Sequence, residues 1–264
     1  MKRSARAIGV FDSGVGGLTV FREIARALPG EPLIYLGDSA RVPYGTKSPA
    51  TVVRYSLEAA KHLLSRDIKM LVVACNTATA AALPVLREQL PIPVIGVVEP
   101  GARAAVATTS GVVGVIATEG TVRSKAYTAA IHALDPDIDV IESAAPLFVP
   151  LAEEGWANTH VAREVAEIYL EPLIDAGIDT LVLGCTHYPI LRGTIEQVVG
   201  DAVSIVDSAE TTAISVKQAL GASAETTREP ARQFLVTDAE ERFRRIAGEF
   251  LEQEIEHLEL VSLG

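Results

Sequence analysis

Cysteine is scarce in this chain: only two occur among 264 residues, Cys75 and Cys185. Neither has a second cysteine close by, so the C-x-x-C pairs of zinc sites are excluded and no metal is expected. The first residues lack the pattern of a secretory signal, which predicts a cytoplasmic protein. Because thiols stay reduced in the cytoplasm, a disulfide between the two cysteines is not expected either.

Positive charge and long apolar runs are also lacking. The chain has 34 acidic and 23 basic residues and a net charge of −11. This argues against a nucleic-acid partner, because phosphate binding needs a basic surface. No apolar run approaches the roughly 18 residues that cross a bilayer, so no membrane contact is expected. Aromatic residues make up 5% and hydrophobic residues 48%, which predicts an aliphatic core typical of parallel sheets covered on both faces.

Short apolar runs alternate with helical patterns along nearly the whole chain, as in βαβ folds. Strands are predicted near Ala7–Phe11, Leu33–Leu36, Met70–Ala74, Val94–Val97, Val112–Ile116, Asp139–Ile141, Leu181–Leu183, Ser204–Val206, Gln233–Val236 and Leu258–Val261. Helices are predicted over Leu18–Leu28, Pro49–Arg66, Thr77–Leu90, Pro100–Thr108, Thr121–Leu134, His160–Ala176, Ile190–Val199, Ala209–Leu220 and Asp238–Leu251. We expect a kink or break at Pro84, because proline has no amide hydrogen to donate.

The two cysteines lie in equivalent settings 110 positions apart, each after an apolar run and before a helical pattern. Their flanking residues recur at the same offset, Ile68, Leu71 and Val72 as Ile178, Leu181 and Val182. We interpret the chain as an α/β protein of two pseudo-symmetric domains with mostly parallel sheets, residues 1–98 (completed by 208–264) and residues 99–207. Ligands of such sheets bind at the carboxyl ends of the strands, so both thiols are expected at an active site in the cleft between the domains.

Two interpretations of the thiols stay open at this point. Buried cysteine often serves as a small hydrophobic residue. The alternative is acid–base or nucleophilic chemistry, since a helix N-terminus favours the thiolate.

A glycine-rich segment, Gly14–Gly17, follows the first predicted strand and opens a helix. Asp38 ends the next strand, at about the spacing of a ribose-binding acid in dinucleotide folds. Against that reading, the third glycine of G-x-G-x-x-G is missing and Asp12 would repel a pyrophosphate. The structural interpretation, a glycine turn with Asp12 as a helix cap, is compatible with a functional role.

Several polar residues near these strand ends have both structural and functional interpretations. Tyr44 and Gly45 lie on a polar loop that either is ordinary surface or offers a ring and an amide to a small ligand. Asn76, Thr77, Thr186 and His187 follow the cysteines and fit helix caps or carboxylate ligands equally well. His187 is two residues from Cys185, close enough to tune its proton.

Four segments resemble the glutamate racemases: Gly9–Gly17 (GVFDSGVGG), Val42–Gly45 (VPYG), Ala74–Ala78 (ACNTA) and Gly184–Pro189 (GCTHYP). The likeness includes Gly120–Ser124 with Tyr127, and Asp207–Glu210, and covers nearly the whole chain in order. Ser39 stands where many relatives have threonine.

The resemblance implies a cofactor-independent racemase that interconverts L- and D-glutamate and supplies D-glutamate for peptidoglycan. By match to the family's motifs, Cys75 and Cys185 are the two proton donor/acceptors. Asp12, His187 and a glutamate before Trp156 would assist them, with Glu153 favoured over Glu154. The implied substrate contacts are Asp12, Ser13, Tyr44, Gly45, Asn76, Thr77, Thr186 and His187. A homodimer is plausible by resemblance.

Racemisation itself favours a pair of thiols. A proton leaves one face of the α-carbon and returns to the other, so one base on each face is the simplest device, and cysteine has a pKa near the working pH. Three alternatives remain: a racemase of the same superfamily acting on aspartate or another small acid, a nucleotide-binding module using Gly14–Gly17, and an interaction protein, for example one acting on DNA gyrase.

Overall fold

The computed structural model describes residues 6–221 and 230–263. They form an α/β fold with two parallel sheets, which confirms the predicted class. The strands are β1 Ile8–Asp12, β2 Leu33–Gly37, β3 Met70–Val73, β4 Val94–Gly96, β5 Val112–Ala117, β6 Asp139–Ala144, β7 Thr180–Gly184, β8 Ser204–Asp207, β9 Arg232–Val236 and β10 Leu258–Leu260. The helices are α1 Leu18–Ala27, α2 Pro49–Ser65, α3 Asn76–Gln89, α4 Val98–Thr108, α5 Glu119–Ser124, α6 Ala126–His132, α7 Phe148–Glu153, α8 His160–Asp175, α9 Arg192–Val199, α10 Ser208–Leu220 and α11 Glu240–Leu251.

The two sheets repeat one topology. The first has the order β10-β9-β2-β1-β3-β4 and the second β6-β5-β7-β8, so β2-β1-β3-β4 matches β6-β5-β7-β8. The register matches too: Gly9 of β1 pairs with Leu71, and Gly114 of β5 pairs with Leu181. A Cβ added at either glycine would meet an isoleucine methyl, Ile68 at 2.8 Å and Ile178 at 2.9 Å. An isoleucine therefore packs closely against the equivalent glycine in both halves, as the internal repeat predicts.

The C-terminal tail returns to the first sheet. β9 pairs with β2 and β10 with β9, both in parallel. α11 packs against α1, and its buried face includes Phe243, Ile246 and Phe250. The tail thus adds two strands and one helix beside the first half of the repeat, where it was expected to pack.

Apolar burial links the two halves. Helix α1 packs against α10 and buries Leu18, Phe21 and Ile24. One hydrophobic cluster contains these residues together with Leu181 and Leu183 of the second sheet. Burying an aliphatic side chain of this size stabilises the folded state by about 1.5–3 kcal/mol. Among the described residues, no helix is long and apolar enough to cross a bilayer.

Some predicted elements are wrong in detail. The helix expected over Thr121–Leu134 is two helices, because Lys125 adopts a left-handed backbone (φ +54°) between α5 and α6. Of the kink or break expected at Pro84, no break occurs, since α3 is continuous through this residue. The helix expected from Ile190 starts as a 3-10 turn over Tyr188–Leu191 before α9.

Other bounds moved by a few residues. Helix α7 was not predicted, and α4 begins at Val98, two residues before the expected start. The sequence pattern marks apolar faces well but not where the backbone leaves the helical region.

Candidate active site

Both cysteines sit at carboxyl ends of matching strands. Cys75 follows β3 and Cys185 follows β7, and their side chains are 6% and 5% exposed. The two strand ends face each other: a Cβ added at Gly16, on the loop after β1, would lie 2.4 Å from both His187 Nδ1 and Thr186 Oγ1. The glycine loop of the first sheet thus lies directly against the segment that follows Cys185.

Cys75 is the N-cap of α3. Its Sγ accepts a hydrogen bond from the Ala78 amide at 3.4 Å and lies 3.5 Å from Ser13 Oγ. Burial and the negative charge of Asp12 raise the pKa of the Cys75 thiol to about 12, against the weaker opposing effect of those two hydrogen bonds. Cys185 also raises it. With this pKa the Cys75 group is a thiol at neutral pH.

Asp12 is buried beside Cys75 and only partly bonded. Its Oδ2 accepts from the Gly14 amide at 2.9 Å, whereas Oδ1 is buried with no partner among the described residues. Burial raises the pKa of this carboxyl, against the lowering effect of His187 and of the loop amides. Asp12 is not a helix cap, because α1 begins after Gly17 without a side-chain cap. The free oxygen is suited to a cation such as an ammonium group.

Three side chains, those of His187, Glu153 and Arg242, are linked in series next to Cys185. His187 Nδ1 lies 3.9 Å from Cys185 Sγ, and its Nε2 lies 3.1 Å from Glu153 Oε1. The second carboxylate oxygen of Glu153 accepts from Arg242 at 2.8 Å. We call Cys185, His187, Glu153 and Arg242 the histidine chain.

Electrostatics within the histidine chain are mutually reinforcing. Burial opposes a charge on His187, but the bonds and charges of Cys185 and Glu153 outweigh it and raise the pKa of His187 to about 10. Burial likewise acts to raise the pKa of Glu153, yet His187 and Arg242 bring it below its usual value. An imidazolium–carboxylate pair is the expected state at neutral pH. Glu154 has no contact with His187 and pairs instead with Arg242 at 3.2 Å and Arg245 at 3.6 Å.

Asn76 and Thr77 form the first turn of α3, where they bond the second half of the molecule. Asn76 Oδ1 accepts 2.7 Å from the Tyr127 hydroxyl, and its Nδ2 is buried without a partner among the described residues. Thr77 Oγ1 lies 2.8 Å from Thr118 Oγ1. Neither residue is the helix cap, because Cys75 takes that place. His187 also makes no side-chain cap bond.

Tyr44 and Gly45 bring the polar loop into the same region. The Tyr44 hydroxyl donates to Asp38, and a Cβ added at Gly45 would lie 3.0 Å from Thr118 Cβ. Asp38 also accepts from Arg41 at 2.7 Å and from Thr237 at 3.0 Å. Its carboxylate is thus fully engaged by protein donors, which argues against a ribose-binding role and against the nucleotide interpretation.

The structure adds residues that the sequence reasoning did not assign. Thr118 and Thr121 complete a hydroxyl cluster with Thr77, at 3.1 Å from each other. Thr118 follows β5 as Ser13 follows β1, so the repeat could have identified it. Arg242 could not be found from the repeat, because it lies on α11 of the C-terminal tail, outside the repeated segments.

The described residues contain no group of three or more His, Cys, Asp or Glu side chains that could hold a metal ion. The charges of Asp12 and Cys185 act on the Cys75 thiol, and the charge of His187 acts on Asp12, so these four groups lie close together.

Comparisons with known proteins show the family of this chain. Residues 8–219 match the protein family described as Asp/Glu/hydantoin racemase. The chain belongs to that family. It is 55% identical over 262 residues to a glutamate racemase from Geobacter metallireducens, covering 98% of this chain and 97% of that protein.

Solved structures of the racemase family superpose closely on this fold. Glutamate racemase isoform RacE1 from Bacillus anthracis has a TM-score of 0.95 at 42% identity, covering 100% of this chain and 99% of its own. The glutamate racemase from Francisella tularensis in complex with D-glutamate has a TM-score of 0.92 at 40% identity, covering 98% of each chain.

Proposed function

We propose that this protein interconverts L- and D-glutamate without a cofactor, using Cys75 and Cys185 as acid and base on opposite faces of the α-carbon. The observation that carries the proposal is the pair of buried thiols at matching strand ends, each beside its own ionisable partner. Relatives at 40–55% identity are named glutamate racemases, which supports glutamate as the substrate.

The reaction balances with two proton transfers. When D-glutamate is bound, the Cys75 thiolate takes the α-proton and the Cys185 thiol gives its proton to the other face. The product is L-glutamate, with Cys75 now a thiol and Cys185 a thiolate. The reverse reaction uses the same groups in exchanged roles, so no group is consumed.

Two unpartnered polar atoms fit the charged ends of an amino acid. Asp12 Oδ1 is an acceptor suited to the ammonium group, and Asn76 Nδ2 is a donor suited to a carboxylate. An ammonium group beside Asp12 also supplies the positive charge that favours the Cys75 thiolate. Donors fixed before the substrate arrives stabilise the negative charge that develops on deprotonation. Ser13, Tyr44, Gly45, Thr77 and Thr186 complete the proposed contacts.

Within the histidine chain, the other three residues act on the Cys185 thiol. A protonated His187 places positive charge at Cys185 Sγ, and Glu153 holds the ring through Nε2 at 3.1 Å. We assign the auxiliary role to Glu153 rather than Glu154, because only Glu153 contacts His187.

The same proposal includes the setting of the enzyme. Two free thiols require a reducing compartment, so we place the activity in the cytoplasm, where it would supply D-glutamate for peptidoglycan. We propose that residues 1–98, completed by 208–264, and residues 99–207 are the two domains that flank the cleft. A homodimer stays a prediction.

The direct test is circular dichroism of D-glutamate incubated with the purified protein under reducing conditions, with no cofactor added. The optical signal should fall to zero as the racemic mixture forms. Preference for D-aspartate would overturn the substrate assignment. Tight binding of NAD or ATP without isomerase activity would favour a nucleotide-binding module, and silence with every amino acid would favour an interaction protein.

A further inference from the structure

In the side-chain amide of Asn76, the oxygen has a hydrogen-bond partner and the nitrogen has none among the described residues. It is 2% exposed and immediately follows Cys75. Oδ1 accepts a 2.7 Å hydrogen bond from the Tyr127 hydroxyl, while Nδ2 is buried without a partner among the described residues. Buried polar groups are nearly always paired, so a free buried donor beside a thiol indicates a ligand acceptor.

Tyr127 decides which end of the amide is free. A carboxamide has nearly the same shape when its oxygen and nitrogen are exchanged, so only its partners fix its orientation. In this structure the Tyr127 hydroxyl, which Ser208 also contacts, donates to Oδ1, and this leaves the NH₂ group without a partner among the described residues. Burial raises the pKa of Tyr127, so the hydroxyl keeps its proton.

The fold holds Tyr127 rigidly in place. The side chain is fully buried, and its ring lies between two glycines: a Cβ added at Gly101 or Gly184 would come within 3.2 Å or 3.1 Å of it. Lys125, with its left-handed backbone, separates α5 from α6 just before Tyr127. The tyrosine thus reaches across from the second half to a residue of the first.

We propose that Tyr127 is a positioning residue that holds the Asn76 amide with its NH₂ group toward the cleft and so selects an anionic group of the substrate. This rests on the proposed function, and it assigns a role to a tyrosine that contacts no reacting atom.

The test is a double-mutant cycle on racemisation, with Tyr127→Phe, Asn76→Ala and both together. Tyr127→Phe keeps the ring but removes the bond, and should lower kcat/KM about tenfold, mainly through KM, as expected for one hydrogen bond of about 1.4 kcal/mol. In the Asn76→Ala background the same change should have less than about a twofold effect, because the amide it positions is gone.

Tyr188→Phe is the matched control. Its hydroxyl is equally buried and donates 2.8 Å to the Ala145 carbonyl, away from Asn76. It should lose similar thermal stability while kcat/KM stays within about twofold. Asn76→Asp is a second variant that keeps the acceptor for Tyr127 but replaces the free donor with a carboxylate oxygen, and it should raise KM more than Tyr127→Phe does.

Independent effects of Tyr127→Phe and Asn76→Ala that multiply in the double variant would overturn the proposal, as would an equal loss of activity in Tyr188→Phe. Unchanged KM in Asn76→Asp would overturn it as well. Failure of the proposed function is distinguishable, because the unmodified protein would then not racemise glutamate at all.

Discussion

The backbone around Cys75 repeats around Cys185, but the side chains that surround the two thiols differ. Cys75 has a carboxylate, Asp12, from the adjacent strand end, and the equivalent position in the other half is Ala117. Cys185 has an imidazole, His187, on the segment that follows it, and the equivalent position after Cys75 is Thr77. Each thiol has one ionisable partner, but the partners come from different places and carry opposite charge.

The repeated strands thus set the positions of the two thiols, whereas residues that do not repeat set their electrostatic surroundings. Here the Cys75 pKa is raised to about 12 by burial and by Asp12, whereas Cys185 lies beside a histidine whose pKa is raised to about 10. The two thiols therefore lie in different electrostatic surroundings, one beside a carboxylate and the other beside an imidazolium.

Removing either thiol should have the largest effect. Cys75→Ala and Cys185→Ala should each lower glutamate racemisation about 10³-fold or more, because one face of the α-carbon loses its acid or base. The assay is polarimetric turnover, with thermal unfolding to verify the fold. Near-normal racemisation by either variant would refute the two-thiol mechanism.

Replacing His187 should weaken one side selectively. His187→Asn should lower turnover about 10²-fold. For a racemase the equilibrium constant of one forces kcat/KM to fall equally in both directions, so the asymmetry must be sought in isotope effects. We assign removal of the α-proton of L-glutamate to Cys185. The primary deuterium isotope effect on turnover of α-deuterated L-glutamate should therefore rise, and that of α-deuterated D-glutamate should fall. Equal isotope effects in the two directions would contradict the assigned asymmetry.

Gly16 tests the contact between the sides. Gly16→Ala would place a Cβ 2.4 Å from His187 Nδ1 and Thr186 Oγ1, and a displacement of about 1 Å in an active site costs about 10²-fold. Gly193→Ala is the control, since a Cβ there meets nothing within 4 Å. Loss of turnover of similar size in both variants would mean that the close approach is irrelevant to the chemistry.

Replacing Arg242 should have the smallest effect on turnover, and this effect should be seen at acidic pH. It is half exposed, and such ion pairs contribute about 0–1 kcal/mol, so Arg242→Gln should cost at most about fivefold. Because Arg242 helps to lower the pKa of Glu153, its loss should raise that pKa and move the acid limb of the pH–rate profile upward. Arg245→Gln, which loses only the contact with Glu154 at 3.6 Å, should leave the profile unchanged. If the acid limb of the pH–rate profile does not shift in Arg242→Gln, Arg242 has no part in setting the pKa of Glu153.

Much of this site could be predicted from sequence, since apolar runs ending in Cys75 and Cys185 mark strand ends and the 110-residue repeat brings them together. The parallel sheets follow from the same alternation. The pairing of Asn76 with Tyr127, and of Glu153 with Arg242, could not be predicted, because each joins segments that no periodicity relates. The helix break at Lys125 was missed for a local reason: a lysine with positive φ leaves no glycine signal in the sequence.

The central claim is that each thiol serves one face of the α-carbon, and one-sided elimination tests it most directly. With 3-chloroglutamate, removal of the α-proton by a single base expels chloride, so no second acid is needed. Chloride release should survive in Cys75→Ala with the L-substrate only, because Cys185 remains. It should survive in Cys185→Ala with the D-substrate only, because Cys75 remains. Release from both enantiomers by either single variant, or the reverse handedness, would contradict the account.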